Sequence, residues 1–193
     1  MSCGMGGRVE ALRERYRPSR VVVLMVGESP PAGGSFFYAH GGSKLGRATR
    51  EAFEEAYGVR FGSYSEFLEF FRSRGFFLVD LLGGRGRRVG EAPEGELAAA
   101  VQRLAGLVGE LRPRLVVAVL CRVCDLVEEA VRLAGPGVPV VCLPFPARSR
   151  GRYVRGLVEV LRALEEGSTP AGEGFCSGRR SRGLRGLAPG APH

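Results

Sequence analysis

Isoleucine, asparagine and tryptophan are missing from this chain, glutamine and lysine occur once each, and histidine occurs only as His40 and the terminal His193. Each absence removes chemistry. No asparagine amide is available to any site, and imidazole catalysis has to run through His40. No apolar run approaches the roughly 18 residues of a membrane span, and Met1 to Arg8 lack the apolar stretch of a secretory signal. The expected setting is cytoplasmic, with no membrane partner. No Gly-x-Gly-x-x-Gly follows the first apolar run, and Lys44 lacks a glycine-rich lead-in, so neither common phosphate-cradling loop is present.

What is abundant is arginine. Lys+Arg number 28 against 20 Asp+Glu, a net charge of +8, and nearly all the positive charge is guanidinium. Guanidinium stacks on bases and forks onto phosphates, which suits a nucleic-acid partner. A biased genome that inflates arginine everywhere would leave the same mark. Cys3, Cys121, Cys124, Cys142 and Cys176 form an odd set, so a disulfide framework is not expected. Cys121-x-x-Cys124 has no second close pair and no nearby histidine. The cysteines therefore read as small buried hydrophobes, with no metal and no cofactor expected.

Apolar runs and apolar faces alternate along the chain. A short amphipathic helix spans about 8–16, and Val21-Val22-Val23-Leu24-Met25-Val26 reads as the core of a strand from about Arg20, buried on both faces. Ser43 caps a helix to about Tyr57, and a second helix covers Tyr64 to Arg74. Strands follow at Phe76–Leu82, Leu115–Leu120 and Val138–Leu143, with helices at Glu94–Leu111, Asp125–Leu133 and about Arg150–Leu164. Four strands separated by helices predict a parallel sheet covered on both faces, a three-layer α/β/α fold. The organisation expected is an N-terminal helical segment at 1–18, one α/β domain at 19–166, and a disordered basic tail at 167–193 built from Gly, Pro, Ser, Ala and Arg.

Such sheets bind ligands at the carboxyl ends of their strands. Four loops meet there. Gly27-Glu28-Ser29-Pro30-Pro31 leads into Phe36-Phe37-Tyr38, Asp80 ends the second strand before the basic segment Gly83–Gly90, Cys121–Cys124 follows the third, and Leu143-Pro144-Phe145-Pro146 precedes Arg148, Arg150 and Arg152. The Gly83–Gly90 segment reads as a flexible loop. A carboxylate, flat rings and arginines in one place suit a pocket for an extruded base.

In these residues the chain resembles the uracil-DNA glycosylase superfamily. Gly27-Glu28-Ser29-Pro30-Pro31 is similar to its first motif, a strand followed by Gly-x-x-Pro, and Leu143-Pro144-Phe145-Pro146 stands where the family carries His-Pro-Ser-Pro. The resemblance implies a uracil-DNA glycosylase-like domain with DNA as partner, a monomer acting in DNA repair by base excision as a hydrolase. It implies catalytic roles for Glu28, Ser29, His40 and Asp80. Ser29 stands where many members orient the attacking water, and Asp80 where the uracil edge is read. Base contacts fall to Gly27, Pro30, Pro31, Phe37, Tyr38, Pro144 and Phe145, and DNA contacts to Arg148, Arg150 and Arg152. The same motifs suit a catalytically impaired member that binds nucleic acid or a nucleotide without cleaving it, because Leu143 replaces the family's histidine.

Overall fold

A computed structural model describes residues 4–33, 35–39, 42–135, 137–168, 170 and 176. Four strands, β1 (Val23–Gly27), β2 (Phe76–Asp80), β3 (Leu115–Ala118) and β4 (Val140–Cys142), form one all-parallel sheet in the order β2-β1-β3-β4. Every residue of β1 and β3 is buried, as continuous apolar runs covered on both faces require. The helices are α1 (Gly4–Arg15), α2 (Lys44–Tyr57), α3 (Tyr64–Ser73), α4 (Glu94–Leu111), α5 (Cys124–Ala134) and α6 (Pro146–Glu165). With α2 packed on α6 and α4 on α5, the expected α/β/α layering is present.

Local chemistry explains the boundaries. Ser43 accepts the Gly46 N–H at 3.0 Å and Ser63 the Glu66 N–H at 3.1 Å, capping α2 and α3. α6 starts four residues earlier than the sequence pattern predicts. Pro146 opens it, and Ser149 leaves helical geometry (φ −146°, ψ 48°), so regular winding resumes at Arg150, where the apolar period begins. Between α2 and α6, Thr49 Oγ1 donates to the Leu45 carbonyl at 2.8 Å, which leaves it to accept from the Tyr153 hydroxyl, also at 2.8 Å.

Phe53, Phe67, Phe71 and Phe76 join α2, α3 and β2 in edge-to-face and tilted contacts. The N-terminal helix packs against the same core: Val9 and Leu12 lie against it, and buried Tyr16 stacks on Tyr38 at 5.8 Å. Among the described residues no helix is long and apolar enough to cross a membrane. Apart from residues 167, 168, 170 and 176, the expected tail lies outside the described residues.

Candidate functional site

The strand register builds the site. β1 and β2 run parallel with Gly27 opposite Asp80, so the last residues of both strands meet at one edge. A Cβ added at Gly27 would lie 2.8 Å from Asp80 Oδ1, so only glycine lets the carboxylate come this close to the backbone. The Asp80 side chain is 9% exposed and pairs with Arg13 of α1 at 2.8 Å. Burial pushes its carboxyl up to about 6; the Arg13 charge and hydrogen bond oppose this, and Glu10 adds to it.

The loops after β1 and β2 clamp each other. Leu81 and Leu82 donate their N–H groups to the carbonyls of Gly27 and Glu28, each at 2.9 Å, and Gly86 donates to Pro30 O at 2.7 Å. Ser29 Oγ donates to Arg87 O at 2.7 Å, Arg85 Nε to Pro31 O at 3.0 Å, and the Val89 N–H to Glu28 Oε1 at 2.9 Å. The segment Gly83–Gly90, expected to be a flexible loop, is thus held in place along its length. Backbone groups that a run of glycine and arginine leaves unspoken for are satisfied by the neighbouring loop.

Between these loops and the ends of β3 and α6 lies a cavity of about 390 Å³, within the range of small-ligand sites. Phe36, Phe37, Leu45, Leu78, Val119, Leu120 and Phe145 give it apolar walls; Glu28, Ser29, Ser43 and Asp80 supply polar groups, and Arg87, Arg88 and Arg122 supply positive charge. The chain matches no protein-family model and no curated protein.

Of the residues singled out from sequence, Gly27, Glu28, Ser29, Pro31, Phe37, Asp80 and Phe145 line this cavity. Tyr38 does not. It is 2% exposed, and its hydroxyl accepts the Leu78 N–H at 2.7 Å and donates to the Leu78 carbonyl at 3.2 Å. Those bonds tie the ring to the core, and burial raises the phenol's pKa further. Phe37 is also largely buried, packing on Phe67 and Phe71, so it serves the cavity as a fixed wall. Pro30 and Pro144 are buried beneath their loops and do not line the cavity.

Arg148, Arg150 and Arg152 project from α6, outside the cavity lining, and Arg150 is paired with Glu51 at 2.6 Å. His40 lies outside the described residues. Leu143 is fully buried, its N–H donated to Ala118 O at 2.8 Å, which places an apolar group beside the strand end.

Sequence reasoning missed Arg13, Ser43, Arg87, Arg88 and Arg122 as site residues. Arg13 is distant in sequence and reaches Asp80 only because α1 folds across the strand edge. Arg122 carried a signal: it lies inside Cys121-x-x-Cys124, at a strand end, and its Nε comes to 3.8 Å from Glu28 Oε1. The cysteines also depart from expectation. No disulfide framework was expected, yet Cys121 is joined to Cys176 and Cys124 to Cys142 as disulfides, so four of the five are drawn together instead of serving as separate hydrophobes. Parallel pairing of β3 and β4 brings Cys142 beside the C-x-x-C turn, a proximity that spacing does not reveal.

Proposed function

We propose that the cavity receives a base turned out of DNA, and that the chain is a base-excision glycosylase of the uracil-DNA glycosylase type. The observation that carries this reading is Asp80, a carboxyl group nearly sealed from water at the cavity, with its pKa pushed up to about 6. Protonated, it offers an O–H donor beside a C=O acceptor, the pair that an asparagine amide would offer. It then meets the N3–H and O4 of uracil without repulsion. Phe36 and Phe37 supply a preformed apolar wall for the ring.

Arg87, Arg88 and Arg122 are each about half exposed or more, and their ion pairs are with Glu96, Glu91 and Glu28. Exposed pairs of this kind are worth at most about 1 kcal/mol, so a phosphate can replace the carboxylate partner. In the hydrolysis the C1′–N bond breaks, the water oxygen bonds to C1′, and the water's proton ends on the departing base. Glu28, held by Val89, supplies negative charge opposite the cationic sugar.

A second reading, binding without cleavage, is favoured by two observations. Glu28 Oε1 is already engaged by a main-chain N–H, and Leu143 offers no group to stabilise a departing anion. One assay separates the two. Oligonucleotides containing uracil, hypoxanthine or xanthine are incubated with the protein between pH 5 and 8, and abasic sites are counted. Excision is expected, falling as pH rises through about 6, and reduced roughly 10²–10⁴-fold in Glu28→Gln. No abasic site from any substrate, with salt-dependent binding retained, would remove the enzyme and leave the binding protein. Arg122→Ala is expected to lower the salt slope of binding by about 1.

A further inference from the structure

Four cysteines from three separate segments converge beyond the end of β3. Cys121 opens a single 3-10 turn (Cys121–Val123), Cys124 begins α5, Cys142 ends β4 and Cys176 comes from the carboxyl-terminal region. The Cα atoms of Cys121 and Cys176 lie 5.7 Å apart and those of Cys124 and Cys142 lie 5.9 Å apart, across sequence separations of 55 and 18. The two pairs adjoin, since Cys176 Sγ is 3.5 Å from the Cys142 carbonyl oxygen.

A carboxylate lies beside one of the two pairs. Glu128 Oε1 lies 3.6 Å from Cys124 Sγ and 3.8 Å from Cys142 Sγ, and the three atoms fall within 4.8 Å of one another. Two sulfurs joined as a disulfide carry no proton for that oxygen to accept.

We propose that in the reduced protein Cys121, Cys124, Cys142 and Cys176 bind a thiophilic divalent metal ion, with zinc the expected occupant. The C-x-x-C turn has the ligand spacing of a zinc knuckle, and four thiolates set tetrahedrally at about 2.3 Å from the metal would stand about 3.8 Å apart. Four sulfur donors without histidine select zinc or iron over harder cations. Cys124 and Cys142 are buried, so each is held there as a neutral thiol unless a cation beside it stabilises the thiolate. The ion would fix the turn that carries Arg122 to the cavity and fasten the Cys176 segment to the sheet edge. This site stands whatever the neighbouring cavity binds.

The test uses the full chain, expressed with added zinc and purified anaerobically under reductant. Elemental analysis is expected to find about one zinc per chain after dialysis, and cobalt substitution to give the thiolate-to-metal charge-transfer bands of a tetrahedral S₄ site. Cys176→Ser, at a residue that belongs to no strand, is expected to weaken zinc by more than the roughly 10–100-fold that outer-shell changes produce. Cys3→Ser should retain full binding. Folding of each variant is followed by circular dichroism, so loss of metal from a folded Cys176→Ser chain counts for the proposal. The proposal is overturned by no metal on a reduced chain with all five thiols free, by unchanged zinc affinity in Cys176→Ser, or by stoichiometric iron with acid-labile sulfide. Alkylation in the opened cell that finds both pairs already oxidised would also overturn it in favour of two disulfides.

Discussion

The two halves of the sheet edge are built by different means. On the β1–β2 side, loops rich in glycine, proline and arginine are locked together by main-chain hydrogen bonds, and the carboxyl groups of Glu28 and Asp80 sit among them. On the β3–β4 side the lining is Val119, Leu120 and Phe145 with Arg122 as the one charged group, backed by fully buried Leu143, and sulfur ties the segments together. The contrast has a physical basis. Carboxyl groups can be kept from water only where donors already point at them, so the polar half needs fixed loops. An apolar half needs only packing, and takes its rigidity from cross-links between distant segments.

Breaking the packing should produce the largest effects. Phe37→Ala is expected to cost about 3–5 kcal/mol and Leu143→Ala about 2–5 kcal/mol by denaturant unfolding, because each removes a largely buried side chain from the packing around it. If only Phe37→Ala also abolished base binding, the ring's wall would be assigned to the β1–β2 half; equal losses would erase the contrast.

The buried acid gives the next effect, and it has a sign. The pKa of Asp80 is higher in the folded than in the unfolded chain, so between about pH 4 and 6 the native state holds more protons. Stability from this group is therefore present at low pH and falls as pH rises, by about 3 kcal/mol across that window. Asp80→Asn is expected to flatten the dependence, as read from urea midpoints at pH 4 and 7. A wild-type chain that gained stability over the same range would show that the Arg13 pair outweighs burial.

The smallest change is expected at Arg150, whose exposed pair with Glu51 is outside the cavity lining. Arg150→Ala should alter stability by less than about 1 kcal/mol and leave the salt slope of DNA binding unchanged. A lowered slope would extend the binding surface onto α6.

Much of this arrangement is legible in the residues. The runs at Val21–Val26 and Leu115–Leu120 announced strands, and Ser43 stands as the cap where α2 begins. Gly27, Glu28, Ser29 and Asp80 were found because they stand at strand ends, where local pattern and site location coincide. The aromatic trio was harder. Three consecutive rings read alike, yet Tyr38 is bonded into the core while Phe36 and Phe37 edge the cavity, a division made by α3 and β2 packing behind the loop. The loop at Gly83–Gly90 looked mobile because its composition supplies no hydrogen-bond partner of its own; the partner is the β1 loop.

Hydrophobic period, capping and turn chemistry act over a few residues, so the chain by itself determined the strands, the helices, their alternation and hence the parallel α/β/α class. Nothing local links Arg13 to Asp80, Val89 to Glu28, or Cys142 and Cys176 to Cys121-x-x-Cys124. Those contacts exist because parallel register sets Gly27 opposite Asp80 and Cys142 beside Ala118, and because α1 folds over the strand edge. Tertiary structure alone decided which charges are buried, which loop is rigid and where the sulfurs meet, since each depends on proximity between residues far apart in sequence.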